Sequence, residues 1–128
     1  MKTAIIIPCY NEEKRLPFSE IKYLAENSDI DIYFANDGSK DDTVKVISDI
    51  IKAYNDRCFL IDFKQNEGKA NTIYKAVNQV NKQNKYEYIG YFDADFSTPS
   101  KEIIRLVKEI ENSENKFVFG SRILLLDS

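Results

Sequence analysis

Short apolar runs alternate along the chain with longer amphipathic stretches, and this alternation restricts the fold more than any other feature of the sequence. Five apolar runs are predicted to be strands: 4–7, 30–35, 58–63, 88–92 and 117–119. Strands that alternate with helices at this spacing are joined by right-handed crossovers, which produce a mainly parallel sheet with helices on both faces. The predicted fold class is therefore α/β, with the sheet between two layers of helices.

Three of the intervening stretches place apolar residues on one face of a helix. These residues are Val44, Ile47, Ile51 and Tyr54 in the first stretch, Ala70, Ile73, Val77 and Val80 in the second, and Ile103, Val107 and Ile110 in the third. A weaker helix is predicted over residues 19–26. Thr98 and Pro99 have the residue types preferred at the N-cap and in the first turn, so they predict the start of the last helix.

The size and charge of the chain exclude several classes of protein. Its 128 residues, 43% of them hydrophobic, can form one core but not two of similar size, so residues 1–128 are predicted to be one domain. The net charge of −3 provides no basic field for a phosphate backbone, and nucleic acid is not an expected partner. No apolar stretch reaches the roughly 20 residues of a membrane-spanning helix, and the N-terminus lacks a signal-peptide pattern. We therefore expect a cytoplasmic protein whose chain has no membrane span.

The chain contains no histidine, which excludes histidine triads, histidine-based zinc sites and imidazole general bases. Any bound metal ion must then be held by oxygen atoms, and this favours a hard divalent ion, Mg²⁺ or Mn²⁺. The two cysteines, Cys9 and Cys58, lie beside apolar runs and are not part of a CxxC motif. They are predicted to be buried free thiols rather than a disulfide or metal ligands.

Polar segments follow four of the predicted strands, at residues 8–12, 36–39, 64–69 and 93–95. The carboxyl ends of parallel strands lie at one edge of a sheet, and such sheets bind ligands there, near the point where the strand order reverses. We therefore expect the four segments to form one site. Each of them alone could also be an ordinary turn, helix cap or loop.

The last of these segments, Asp93-Ala94-Asp95, brings two carboxylates to the end of a strand. Side chains two residues apart on a strand point to the same side, and two carboxylates held close together are usually stabilised by a cation. The pair is therefore a candidate metal site. The alternative is a solvated turn in which an aspartate caps the next helix.

The other segments carry groups that suit a nucleotide. Asp37, in front of a glycine that permits a tight turn, could accept a hydrogen bond from a base. Lys69 lies at the start of a helix, where free amides, the helix dipole and its own charge favour a diphosphate. Tyr10 could stack on a ring, and Glu12 could accept a hydrogen bond from a sugar hydroxyl. With the carboxylate pair, these groups predict a site for a nucleoside diphosphate with a divalent ion.

Five motifs resemble, in order, those of the family 2 glycosyltransferases, which have the GT-A fold, a Rossmann-like arrangement of three α/β/α layers. The motifs are Pro8-Cys9-Tyr10-Asn11-Glu12 (P-x-Y-N-E), Asp37-Gly38-Ser39-Lys40-Asp41-Asp42-Thr43 (D-G-S-x-D-x-T), Asn66-Glu67-Gly68-Lys69 (N-x-G-K), Asp93-Ala94-Asp95 (D-x-D) and Gly120-Ser121-Arg122 (G-S-R). The dolichyl-phosphate glucosyltransferase type, whose acceptor is a polyprenyl phosphate, looks most similar in two further segments, Arg15-Leu16-Pro17 and Phe96-Ser97-Thr98-Pro99.

This resemblance implies a role for most of the motifs. Asp37 would contact the base, Glu12 and Asp93 the nucleoside, and Lys69 the phosphate region. Asp95 would hold the metal ion that bridges the diphosphate of the donor. The nucleotide-binding residues implied in this way are Pro8, Tyr10, Glu12, Asp37, Gly68, Lys69 and Asp93. One departure from the family is Asn36, which stands where an acidic residue is common and removes one charge beside the base.

The implied activity is an inverting, metal-dependent transfer of a hexose from a UDP- or GDP-sugar to an acceptor such as a polyprenyl phosphate. Family members continue past the G-S-R motif into an acceptor-binding half that supplies the general base. We therefore expect the natural protein to extend beyond Ser128, with the base in that part, and to work in the cytoplasm or at the cytoplasmic face of a membrane.

Two other functions are compatible with the same residues. The chain could be a non-catalytic nucleotide-sugar-binding fragment that lacks the acceptor half. It could also be a phosphatase with Asp93 as nucleophile, although such enzymes usually place their aspartate pair after the first strand and lack the other motifs.

Overall fold

The computed structural model describes residues 2–112 and 123–125, the last three by their backbone alone. Strands and helices alternate through these residues as predicted. The elements are β1 (Thr3–Cys9), α1 (Phe18–Asn27), β2 (Asp31–Asp37), α2 (Thr43–Ala53), β3 (Cys58–Phe63), α3 (Lys69–Asn81), β4 (Tyr88–Tyr91), α4 (Ser100–Glu111) and β5 (Ile123–Leu125). None of the helices in the described residues is long and apolar enough to cross a membrane. The predicted strand at 117–119 and the G-S-R motif lie outside the described residues.

The strands form one sheet in the order β3-β2-β1-β4-β5. β1 pairs in parallel with β2 and with β4, β2 pairs in parallel with β3, and β5 is antiparallel to β4. The predicted mainly parallel α/β fold is confirmed. The chain proceeds outward from β1 to β3 and then returns to the other side of β1 to form β4, so the strand order reverses between β1 and β4. Open α/β sheets bind ligands at the carboxyl ends of the strands beside such a reversal.

Helices cover both faces of the sheet because the central strands are apolar on both faces. On one face, Ile5 of β1 belongs to a buried cluster with Ile47 of α2 and Ile103 of α4, which α1 also joins. On the other face, Ile6 of β1 lies in a second cluster with Val80 of α3. The alternation of neighbouring residues along β1 between the two clusters produces the three layers predicted from the sequence.

The predicted apolar faces of the helices are confirmed in part. All three predicted residues of α4 are buried. In α3 the buried residues are Thr72, Ala76 and Val80, whereas Ala70 of the predicted face is exposed. Two of these residues, Thr72 and Ala76, have small side chains that pack α3 against the sheet. A search for large apolar residues at helical spacing does not identify such positions. In α2 a similar shift by one residue buries Ile50.

The start of α4 differs from the prediction by one residue, because Pro99 rather than Thr98 occupies the N-cap position. The first helical residue, Ser100, is bound to α1 instead of to a local cap. Its hydroxyl donates to the carbonyl of Glu20 at 2.5 Å, and its N–H donates to the Glu20 carboxylate at 3.3 Å. The side chain from a neighbouring helix thus satisfies a backbone donor that a local cap would otherwise bind.

Cys9 and Cys58 are buried free thiols, as predicted. Burial raises the pKa of both thiols, that of Cys58 to about 12. Because the thiolate is the reactive form of cysteine, neither side chain is a nucleophile at neutral pH.

Candidate functional site

An open cleft of about 600 Å³ lies at the carboxyl edge of the sheet, where the strand order reverses. Residues at or beyond the carboxyl end of each of the four parallel strands line it, as expected from the sequence. The lining residues are Pro8, Cys9, Tyr10, Glu12, Arg15, Asp37, Asn66, Gly68, Lys69, Asp93, Ala94 and Asp95. Every residue that the sequence assigns to nucleotide or metal binding is among them. Arg15 and Asn66 are additional polar residues to which no role was assigned.

The loop after β1 forms one wall of the cleft. Tyr10 is 38% exposed, so its ring is accessible for stacking. The Glu12 side chain is only 17% exposed, and its Oε1 accepts a hydrogen bond from Nη2 of Arg15 at 3.2 Å. The same nitrogen donates to the carbonyl of Asn11 at 3.3 Å. Arg15 therefore brings a cation to this wall. The sequence pointed to it only through the resemblance of the segment Arg15-Leu16-Pro17, which assigned it no role.

Asp37, the last residue of β2, is buried, and both of its carboxylate oxygens bind the loop that precedes α3. Oδ1 accepts from the N–H of Glu67 at 2.8 Å, and Oδ2 accepts from the N–H of Gly68 and from the side-chain amide of Asn66, each at 3.1 Å. Three donors stabilise a charge that burial alone would penalise. Asp37 thus shapes the loop that leads into α3, a role that the sequence did not reveal.

Gly38 permits the close contact between these two loops. Its φ is +64°, and a Cβ atom at this position would lie 2.4 Å from the backbone nitrogen of Asn66. Glycine adopts this left-handed conformation readily and has no Cβ to clash. The tight turn predicted at this glycine is therefore confirmed, and the turn is packed directly against the loop before α3.

Asn36 holds the same turn from the other side. Its Nδ2 donates to Oδ1 of Asp62 on β3 at 2.8 Å, and its Oδ1 accepts from the N–H of Ser39 at 3.2 Å. Burial would raise the pKa of the Asp62 carboxyl, but hydrogen bonds from Lys64 and Asn36 and the charge of Lys64 lower it. The neutral amide at position 36 is thus used to connect β2, β3 and the turn.

Lys69 and Asp93 come together from two different elements. Lys69 is the first residue of α3, Asp93 lies two residues after β4, and the ammonium group is ion-paired with Oδ1 of the carboxylate. The charge of Lys69 therefore offsets one of the two carboxylates of the D-x-D segment. The Lys69 side chain remains 56% exposed, so a ligand in the cleft can reach it.

Asp93 and Asp95 follow β4, as predicted, but they lack the extended geometry from which a shared side-chain direction was inferred. β4 ends at Tyr91, and the two aspartates lie in a turn closed by a hydrogen bond of 3.0 Å from the N–H of Phe96 to the carbonyl of Asp93. Phe96 adopts a φ of +53° and buries its ring, which anchors the turn. The strand argument for a shared side-chain direction does not apply, although both carboxylates line the cleft.

The cleft contains an exposed carboxylate that is a candidate ligand for a hard divalent ion. Asp95 is exposed, and its Oδ1 accepts a hydrogen bond from the N–H of Ser97 at 2.9 Å. Among the described residues no group of three or more His, Cys, Asp or Glu side chains could enclose a metal ion. Magnesium is commonly bound through one or two carboxylates, with phosphate oxygens and water as the remaining ligands. One exposed carboxylate in an open cleft is compatible with that mode of binding, and Asp95 is the candidate ligand.

A polar cleft at the strand-order reversal of a mainly parallel sheet, with a helix N-terminus and a lysine on its wall, has the form of a nucleotide-binding α/β domain. The chain belongs to glycosyl transferase family 2, whose sequence profile matches residues 4–125. The resemblance indicated by the five motifs is thereby confirmed.

The curated relatives are longer proteins. An uncharacterized protein of Methanocaldococcus jannaschii is 38% identical over 117 residues, which are 91% of this chain and 50% of the relative. A dolichyl-phosphate beta-glucosyltransferase of Dictyostelium discoideum is 33% identical over 138 residues, which are 98% of this chain and 41% of the relative. This chain therefore spans half or less of the length of these two relatives.

A solved structure shows the same fold. The mannosyltransferase PcManGT from Pyrobaculum calidifontis, in complex with GDP-Man and Mn²⁺, superposes with a TM-score of 0.70 at 18% identity. The match covers 87% of this chain and 32% of the mannosyltransferase chain. At this level of identity the likeness establishes the fold, which is the GT-A fold expected from the resemblance.

Proposed function

We propose that this chain binds a nucleoside diphosphate sugar, UDP- or GDP-linked, and is the donor-binding part of a glycosyltransferase. The observation that carries the proposal is the composition of the cleft, which has a volume of about 600 Å³. Its lining combines an aromatic ring that can stack on a base, carboxylates that can accept hydrogen bonds, and a lysine at the N-terminus of a helix. Small-molecule sites are typically clefts of about 300–1,000 Å³ with a few well-placed polar groups. A nucleotide sugar has a base, hydroxyls and a diphosphate that correspond to these groups.

The proposed donor lies along the cleft with its base toward β1 and β2. Pro8 and Tyr10 contact the base, with Tyr10 stacked on it, and Glu12 accepts hydrogen bonds from the ribose. Gly68 and Lys69 face the diphosphate, where the N-terminus of α3 and the ammonium group favour negative charge. Asp37 borders the base, and Asp93 borders the nucleoside.

The proposed reaction is the transfer of the hexose with inversion of configuration. An acceptor oxygen attacks the anomeric carbon in line while the nucleoside diphosphate departs, and this chain orients the donor for that attack. Lys69 and the amides at the start of α3 stabilise the charge that develops on the leaving group. Mg²⁺ or Mn²⁺ held by Asp95 would stabilise the same charge as a Lewis acid. No described residue is assigned as the general base.

A polyprenyl phosphate is the proposed acceptor class. The relative from Dictyostelium discoideum, named a dolichyl-phosphate beta-glucosyltransferase, supports this class. The segments 15–17 and 96–99 resemble the same type of enzyme. The hydrocarbon chain of such an acceptor is anchored in a membrane, so we propose that the whole protein works at the cytoplasmic face of one.

Calorimetric titration with UDP and with GDP, each with and without Mn²⁺, tests donor binding. We expect the chain to bind at least one of them with higher affinity in the presence of Mn²⁺. Asp95→Asn should weaken the Mn²⁺-dependent binding by about tenfold or more, since it removes a metal-binding charge. Asp49→Asn, an exposed change on α2, is the matched control. Absence of binding by the wild type, or full binding by Asp95→Asn, would refute the proposal.

A second candidate is a non-catalytic nucleotide-sugar-binding fragment, which binds the donor but transfers no hexose by itself. It is favoured by the fact that the chain spans 41% to 50% of the two relatives described above. Incubation with labelled UDP-glucose or GDP-mannose and a polyprenyl phosphate discriminates between the two. A labelled lipid product indicates that this chain itself transfers the hexose, whereas donor binding without any product indicates the binding unit.

A further inference from the structure

Two loops at the rim of the cleft are joined by hydrogen bonds made by Glu12 and by its neighbour Asn11. The N–H of Glu12 donates to Oγ1 of Thr43 at 2.8 Å. One residue earlier, the N–H of Asn11 donates to Oγ of Ser39 at 2.9 Å, and Oδ1 of Asn11 accepts from the N–H of Lys40 at 2.9 Å. The loop after β1 therefore takes its position from the loop between β2 and α2.

Thr43 is the central residue of this connection. It is the first residue of α2 and is fully buried. Its hydroxyl donates to Oδ1 of Asp41, and the same oxygen accepts the N–H of Thr43 at 3.0 Å. Since the hydroxyl proton is used on Asp41, an oxygen lone pair is left to accept from Glu12. Asp41 thus fixes the direction of the hydroxyl, and the hydroxyl fixes the backbone of Glu12.

The other atoms of Glu12 are fixed as well, with one exception. Its carbonyl accepts the N–H groups of Arg15 and Leu16 at 3.0 and 3.1 Å, and its Oε1 accepts from the Arg15 guanidinium. Among the described residues, none donates a hydrogen bond to Oε2 of Glu12. The side chain lines the cleft. The N–H, the carbonyl and Oε1 of Glu12 are therefore all hydrogen-bonded, and Oε2 can accept a hydrogen bond from a ligand.

We propose that Thr43 is a positioning residue for Glu12, through which the cleft selects ribonucleotides by their sugar hydroxyls. The proposal rests on the proposed function, because it requires a nucleoside diphosphate in the cleft. Thr43 acts through Glu12 and is not part of the cleft lining. A carboxylate discriminates between sugars only when its oxygen is held in the right place, and small displacements of such groups reduce their contribution steeply.

Calorimetry with a nucleoside diphosphate and its 2′,3′-dideoxy counterpart measures this selection. We expect the wild type to bind UDP or GDP about tenfold or more tightly than the dideoxy form, as for a hydrogen bond to a charged group. Glu12→Gln should reduce this ratio because it removes the charge that accepts the bond. Thr43→Val, which keeps the side-chain shape but removes the hydroxyl, should reduce the ratio to about threefold or less. Thr43→Ser should retain the wild-type ratio.

Thr72→Val is the matched control, since Thr72 is also buried and lies in the first turn of a neighbouring helix, α3. It should retain the wild-type ratio. If thermal melting shows that Thr43→Val does not fold, Asp41→Ala tests the same connection at an exposed position. It removes the oxygen that accepts from the Thr43 hydroxyl and should lower the ratio in the same way.

The possible outcomes separate this inference from the proposed function. A wild-type protein that binds neither UDP nor GDP refutes both. A wild-type protein that binds one of them without preferring it to the dideoxy form refutes the inference alone. The inference is also refuted if Glu12→Gln lowers the ratio while folded Thr43→Val and Asp41→Ala retain it. A parallel loss in all three variants, with Thr43→Ser and Thr72→Val unchanged, supports it.

Discussion

The ammonium group of Lys69, at the start of α3, is ion-paired with the carboxylate of Asp93, two residues beyond β4. Both residues lie at the carboxyl edge of the sheet and line the cleft. The pair therefore holds a cation at the place proposed for the diphosphate, and it offsets a negative charge that would otherwise repel that group.

Lys69→Gln should weaken the binding of UDP or GDP by about tenfold or more. The substitution removes a charge-assisted contact to the phosphates and leaves the carboxylate of Asp93 without this counter-charge. Titration calorimetry measures the loss. Lys82→Gln, the same change at the other end of α3, is the control and should bind normally. Equal affinity of wild type and Lys69→Gln at low ionic strength, where charge effects are largest, would contradict the assignment.

Asp37→Asn tests how Asp37 contributes to nucleotide binding. It could act indirectly, by positioning the loop before α3, or directly, by contacting the base. An amide has only one acceptor oxygen, so the variant cannot accept from both the Glu67 and Gly68 N–H groups as the carboxylate does. If the loop contact dominates, UDP and GDP affinities should fall by the same factor. A change in their ratio, measured by parallel titrations, would instead indicate direct contact with the base.

Gly38→Ala should lower the free energy of unfolding by about 2 kcal/mol or more, because it adds a backbone clash to the strain of a left-handed residue. Gly68→Ala is the informative comparison. Gly68 also has a positive φ, of +94°, but an added Cβ would meet nothing within 4 Å. Urea unfolding of both variants should show the larger loss for Gly38→Ala. An equal or smaller loss would contradict the close approach of the two loops.

Acid pH should destabilise the fold through Asp62. Burial would raise the pKa of this carboxyl, but the hydrogen bonds from Lys64 and Asn36 and the charge of Lys64 lower it from its ordinary value of 3.8. A carboxyl whose pKa is lowered by folding stabilises the folded state above its unfolded pKa, and this contribution is lost as the pH falls through the folded pKa.

The free energy of unfolding of the wild type should therefore fall more steeply than that of Asp62→Asn below about pH 4. Urea unfolding at pH 7, 4 and 3 measures the difference. Asp49→Asn, an exposed change on α2, should follow the wild type. Parallel curves for wild type and Asp62→Asn would show that Asp62 makes no such contribution.

Much of the fold could be predicted from residue patterns. The strands of a parallel sheet are buried on both faces and must be continuous apolar runs, so β1 to β4 were recognisable from the sequence. The buried face of α4 was predictable for a similar reason, because its large apolar residues recur at helical spacing. The start of α4 was predicted one residue too early. Its first residue, Ser100, is hydrogen-bonded to Glu20, which is 80 residues away in the chain.

The membership of the candidate site was also predictable, whereas its internal contacts were not. Residues at the carboxyl ends of parallel strands, or in the loops that follow, reach the same edge of the sheet whatever the strand order. This is why Glu12, Asp37 and Lys69 all line the cleft as expected. A turn at Asp93 and Asp95 was one of the two interpretations of the sequence, but the positive φ and the buried ring of Phe96 were not predicted.

The sequence by itself thus determined the α/β class, the edge at which the polar segments meet and the kinds of groups that meet there. Only the tertiary structure decided which of these groups bind one another. The contacts between Lys69 and Asp93, Asp37 and Glu67, and Glu12 and Thr43 join residues 24 to 31 positions apart. Such contacts depend on the order of the strands and on how closely the loops pack, and neither is encoded in the local periodicity from which elements are predicted.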